Sequence, residues 1–151
     1  MSVLFNKTHL NRGVDLFNRA HFFDAHEVLE DVWRSIPRDG PRDGPRVRPS
    51  RGHLRLHLRL HLQGMVQLAV AFHHASAGNL VGARSVLERA MRNLNGADSS
   101  FPDLDLERLR AELALWRRYL DDCNNALDAR DDAGDVRRRT APALPKILLR
   151  S

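Results

Sequence analysis

The sequence predicts an all-α fold: a compact array of about five helices, with a basic Pro/Gly-rich insertion after the second helix and an extended C-terminal tail. Three observations predict it. Apolar residues recur at spacings of three and four over most of the chain, the period of one helix face. Asn, Asp and Gly stand at the breaks between these stretches, where caps belong. At 151 residues, 42% of them apolar and only one a cysteine (Cys123), the chain is long enough for a buried core without crosslinks. The expected organisation is one helical domain over residues 5–130, containing the insertion at 37–60, followed by a tail at 131–151.

The first helix is expected from Leu10, Val14 and Phe17, with Thr8 as its N-cap. The second carries Phe22, Ala25, Leu29, Val32, Trp33 and Ile36 at helical spacing and should stop before Pro37. Residues 37–52 hold four prolines and a tandem RDGP repeat, so a loop is expected there. The stretch HLRLHLRLHL, His53 to Leu62, alternates strictly, and its local period argues for a strand over 53–60. From Gln63 the pattern is helical through Met65, Val66, Ala69, Val70 and Phe72. Gly78 should end this helix and Asn79 cap the next, whose stripe is Ala83, Val86, Leu87, Ala90 and Leu94; Asn95 and Gly96 should stop it. The last helix should begin near Asp103 or Asp105. Its seam of Leu106, Leu109, Leu113, Trp116, Leu120, Cys123 and Leu127 is read as packing within the bundle rather than as a dimeric coiled coil. The Pro-containing APALPKILL segment is expected to dock in extended form.

The net charge of +5 is unevenly placed: Arg34 to Arg59 contains eight arginines against Asp39 and Asp43. This segment could attract nucleic-acid phosphates without sequence preference, although no aromatic residue for base stacking lies between residues 34 and 71. His53, His57 and His61 share one helical row at four-residue spacing, enough for an adventitious metal ion. No run of about 18 apolar residues is present, so no membrane association is expected. The opening MSVLFNKTHLNRG lacks the apolar stretch of a secretory signal, and a cytoplasmic location is expected. No phosphate-cradling glycine loop, serine nucleophile motif or dinucleotide fingerprint occurs, so the sequence names no substrate.

The chemistry-bearing residues fall in two groups. On the second helix His26, Glu30 and Trp33 lie on one face, with Glu27 nearby, and an imidazole and carboxylate four apart can share an ion or a hydrogen bond. The pattern is half of an HExxH zinc motif, with Glu30 in place of the second histidine. On the third helix Gln63, Gln67 and His74 lie within about 40° of one direction. Gly64, Ala71 and Ala75 form a smooth stripe beside them, and His73 points away toward solvent. Packing of the two helices would allow both groups to meet in one polar pocket.

The run Gly13-Val14-Asp15-Leu16-Phe17-Asn18, the stretch from Phe22 to Trp33, Gln63 to Val70 with His74, Gly78-Asn79 and Gly82-Ala83-Arg84 together resemble the DUF309 family. Its members are small, all-helical, mainly bacterial proteins of unknown function, sometimes catalogued as predicted metal-dependent hydrolases. The resemblance covers about residues 10–95, with Pro142 to Leu148 resembling the family's end. It implies His26, Glu27, Glu30, Trp33, Gln63, Gln67 and His74 as a shared polar and aromatic cluster. It also implies that the segment entering Gln63 continues as helix, against the period-two reading.

Three functional readings follow. In the first, a metal-dependent hydrolase acts on a small-molecule substrate: His26 and Glu30 ligate a divalent ion, Glu27 and His74 are catalytic, and Trp33, Gln63 and Gln67 bind substrate. In the second, a non-enzymatic interaction module uses the cluster as a buried hydrogen-bond network. In the third, the Arg34–Arg59 segment serves a nucleic-acid accessory protein. Homo-oligomerisation is left open.

Overall fold

A computed structural model describes residues 5–37, 49–128 and 140–151, with the side chains of 49–54 and 127–128 outside the description. The RDGP repeat, the basic run Arg137–Arg139, and the side chains of His53 and Leu127 therefore lie outside it. Among the described residues there are five α-helices and no strand: α1 (Lys7–Asn18), α2 (Phe22–Ser35), α3 (Pro49–Ser76), α4 (Leu80–Asn93) and α5 (Leu106–Asp128). The fold is all-α, and successive helices pack on one another in chain order.

Most boundaries follow the caps read from sequence. Asn79 accepts a hydrogen bond from the Gly82 N–H at 3.0 Å, starting α4, and Gly78 precedes it at φ +82°, a conformation that favours glycine. Gly96, at φ +76°, follows the end of α4. Asp105 Oδ1 accepts from the Arg108 N–H at the start of α5. The first cap differs from expectation. Asn6, not Thr8, accepts from the His9 N–H, because the helix begins one turn earlier than its apolar stripe.

Residues 53–60 are helical, correcting the strand reading, and α3 begins at Pro49, inside the segment read as a loop. A period of two wound at 100° per residue splits the leucines into two opposed rows. Leu58 and Leu62 are buried, whereas Leu56 and Leu60 are 54% and 38% exposed. The core accepts one row, and no neighbouring strand is present among the described residues to reward the alternative.

Phe72 of α3 is the centre of the core. Its ring meets Phe17 of α1 at 5.9 Å, Phe22 of α2 at 5.7 Å and Trp116 of α5 at 5.1 Å. The α5 seam is buried within the chain from Leu106 through Cys123, as the sequence predicts. Residues 140–151 dock in extended form. Trp116 Nε1 donates to the Ala143 carbonyl at 2.9 Å, the Ile147 N–H donates to Asn18 Oδ1 at 2.7 Å, and Leu149 bridges Leu104.

Two contacts of α3 carry predictions. A Cβ added to Gly64 would stand 2.9 Å from Leu94 Cγ and 3.2 Å from the Ala90 carbonyl oxygen, so α4 could not stay at its present distance. Gly64→Ala is expected to cost about 1–3 kcal/mol in urea unfolding despite its gain in helix propensity.

His61, 6% exposed, places Nδ1 2.6 Å from Ser100 Oγ. Burial pushes its pKa below the ordinary 6.5, helped by His57 and Arg110 and opposed by a hydrogen bond to the Asn95 backbone and by Asp98. The folded state thus favours the neutral imidazole. The resulting stability is complete above pH 6.5 and is lost as pH falls through that value toward the depressed folded one. Wild-type unfolding free energy should therefore drop more steeply from pH 7 to pH 5 than that of His61→Gln; parallel profiles would contradict this account.

Candidate functional site

Helix α2 turns Phe22, Ala25, Leu29 and Val32 into the core, which leaves His26 and Glu30 along its edge. His26 Nε2 lies 3.2 Å from Glu30 Oε2, and Arg34 holds Glu30 Oε1 at 2.6 Å, so a three-residue chain of polar contacts runs along consecutive turns. The His26 and Glu30 side chains are 28% and 27% exposed. Glu27 is exposed, and Trp33 is partly buried. Arg59 of α3 places its guanidinium 4.6 Å over the Trp33 ring and donates to the Ile36 carbonyl at 2.6 Å. It thereby caps the carbonyl end of α2, where a positive charge is stabilised. Trp33 Nε1 is buried with no hydrogen-bond partner among the described residues.

The α3 residues do not join this group. Gln67 Oε1 accepts from Asn93 Nδ2 of α4 at 2.8 Å. His74 Nδ1 stands 3.3 Å from Asn79 Nδ2, at the turn leading into α4. Gln63 is partly buried on the same stripe. The side of α3 that meets this edge of α2 is instead marked by His73, about 120° around the helix from Gln67. Its ring lies 5.7 Å from Phe23, which lies 6.2 Å from His26. α2 and α3 do pack together, but the polar stripe of α3 is turned toward α4.

At the N-terminal end of α2 a depression of about 220 Å³ is lined by Ala20 to Asp24 with His73 and Ser76; His26 and Glu30 do not line it. Sequence spacing does not point to Phe23 as a neighbour of His26, nor to His73 as the α3 residue that meets Phe23. The available signal was Phe23 itself, an aromatic ring off the buried stripe of α2 and 54% exposed.

The fit to a metal ion is incomplete. His26 and Glu30 offer two donors, and among the described residues no group of three or more His, Cys, Asp or Glu is placed to hold one ion. A catalytic zinc ordinarily has three protein ligands. The histidine row of the HLRL repeat is also divided: His61 is buried against Ser100, whereas His57 is exposed with its ring 6.1 Å from that of His61. Among the described residues no helix is long and apolar enough to cross a membrane.

The chain is 25% identical over 107 residues to the uncharacterised protein YpuF of Bacillus subtilis (strain 168), a match covering 71% of this chain. It spans about half the length of that relative, 52%. No solved structure matches. The model of the domain of unknown function DUF309 matches residues 10–86, which contain the His26–Glu30 edge and the whole of α3, and the chain belongs to the DUF309 family.

Proposed function

We propose that the chain is a non-enzymatic helical binding module, in which the polar residues of α2 and α3 act as separate ties between secondary-structure elements. The observation that carries this reading is the pairing of Gln67 with Asn93, on a side of α3 remote from His26. Several groups of the expected shared pocket have local contacts instead: His26 with Glu30, Glu30 with Arg34, and His74 with Asn79. Such ties raise stability by modest amounts and leave the outer helix faces free for a partner.

A second reading is favoured by one observation. The His26–Glu30 pair stands half-open near the depression beneath Phe23 and His73, where a small molecule could approach. A metal-dependent hydrolase built there would use His26 and Glu30 as two ligands, Glu27 as an exposed carboxylate, and further donors from substrate or another protein.

Metal analysis of untagged wild-type and His26→Ala protein separates the two readings. The binding module predicts no stoichiometric divalent metal in either, with His26→Ala lowering stability by about 1 kcal/mol or less, as for a partly exposed ion pair. Gln67→Ala should cost about 0.5–1.5 kcal/mol through the lost bond to Asn93. One equivalent of metal bound to wild type and absent from His26→Ala would overturn the module reading and support the hydrolase.

A further inference from the structure

Residues 140–151 are held as a bound peptide would be. Asn18, the last residue of α1, closes both backbone hydrogen bonds of Ile147 with its side-chain amide: Oδ1 accepts from the Ile147 N–H at 2.7 Å and Nδ2 donates to the Ile147 carbonyl at 2.9 Å. The amide thus stands where a neighbouring strand would stand. On the α5 side Trp116 Nε1 donates to the Ala143 carbonyl, and Glu112 Oε2 accepts from the Lys146 N–H at 3.0 Å. At the turn before α5 the Asp105 N–H donates to the Leu148 carbonyl and the Arg150 N–H to the Asp103 carbonyl, each at 2.8 Å. Within 140–151 the buried residues are Pro145 and Ile147, two apart as on one side of a strand. The seat formed by α1, α5 and this turn therefore reads an extended backbone and two apolar side chains, the mode in which proteins bind extended segments.

These contacts do not depend on the chain that joins the tail to α5. Trp116 and Asn18 lie 27 and 129 positions from the tail residues they bind. Along α5, Trp116 is about 18 Å from the helix end at Asp128. The fifteen steps from Asp128 to Ala143 can span up to about 50 Å, well over twice what the chain's own seat requires. A tail on such a connection can equally enter the seat of a copy lying alongside.

We propose that this seat is a binding site for the tail of a second copy of the chain, so that two copies exchange tails. A tail docked on the other body makes the same contacts as on its own, so exchange sacrifices none of them. The second copy is also the partner whose chemistry is stated in full. Acidic residues ring the seat, with Asp98 Oδ1 3.8 Å from Arg150 and Glu112 at the Lys146 backbone, and every tail brings the matching Lys146 and Arg150. A tethered tail competes for its own seat at an effective concentration on the order of millimolar, so wild-type chains exchange only as they approach that range. Chains relieved of this competition should pair far more tightly.

Two full-length variants provide the test. Asn18→Asp spoils the seat, because a carboxylate oxygen then faces the Ile147 carbonyl, and leaves the tail intact. Ile147→Asp spoils the tail and leaves the seat intact. Mixed, the two should form a 1:1 heterodimer in sedimentation equilibrium, at least about tenfold tighter than either variant's pairing with itself or the wild type's own exchange. Hydrogen exchange on the wild-type chain tests the same site independently of whether Ile147→Asp folds. A synthetic peptide of residues 140–151, supplied above the effective concentration on the order of millimolar, should strip protection from the chain's Lys146, Ile147 and Arg150 amides. The Asp105 amide should stay protected, because the peptide now supplies its acceptor.

Folded variants that remain monomeric when mixed would overturn the proposal. So would self-association of either variant as tight as the mixture, which would place the interface elsewhere, or a peptide that leaves the tail amides protected or acts no better than its scramble. The seat shares no residue with the His26 edge, so either outcome leaves the metal analysis of His26 unaffected.

Discussion

The Phe72 ring is the contact on which most of the arrangement depends. It meets aromatic residues of α1, α2 and α5, and Trp116, one of its partners, binds the tail through the Ala143 carbonyl. Edge-to-face contacts such as those with Phe17 and Trp116 are directional, so they fix the rotation of α3 as well as its position. Once Phe72 is set, every other position on α3 has its direction assigned. Gly64 must meet α4, His61 must meet the turn before α5, and the stripe of Gln67 is directed away from α2. The division of the polar residues into separate ties is a consequence of the aromatic core.

This explains which parts of the site could be read from sequence. His26, Glu30 and Arg34 are related within one helix, where four-residue spacing is enough to place them in contact, and the structure has them there. The relation of His26 to Gln67 or His74 depends on the relative rotation of two helices, which no local spacing contains. The caps were legible for the same local reason: Asn79 and Asp105 act on backbone groups three residues away. Asn6 is instructive because it is also local, yet the apolar stripe began too late to point to it. Residues 53–60 failed differently. Their alternation is compatible with a helix that wastes half its leucines, and only continuity with the strongly helical stretch after Gln63 decides between the alternatives.

Charge is partitioned along similar lines. Between α4 and α5, Arg84 pairs with Asp121 and Arg117 lies near Glu88, while Arg110 binds Asp98 at 2.7 Å. That last contact holds the Asp98 carboxyl below its ordinary range, chiefly through the Arg110 hydrogen bond. Lys7 reaches Asp103 from α1. The C-terminal half of the chain therefore neutralises much of its charge internally. α3 has no acid of its own, and its Arg59 guanidinium is held instead over the Trp33 ring and against the Ile36 carbonyl.

The length of α3 separates its Leu56 turn from His73 at the depression. Leu56 and His73 are seventeen positions apart, about 25 Å along the axis, more than twice a Debye length at physiological ionic strength. Charge at one end of α3 is consequently screened from the other, and the two ends of the helix are coupled through its movement. The Phe72 core, the Gly64 approach and the Arg59 cap all resist such movement. The edge of α2 is tied to α3 at both ends, by Phe23 against His73 and by Trp33 under Arg59, so a displacement of α3 would disturb both contacts at once.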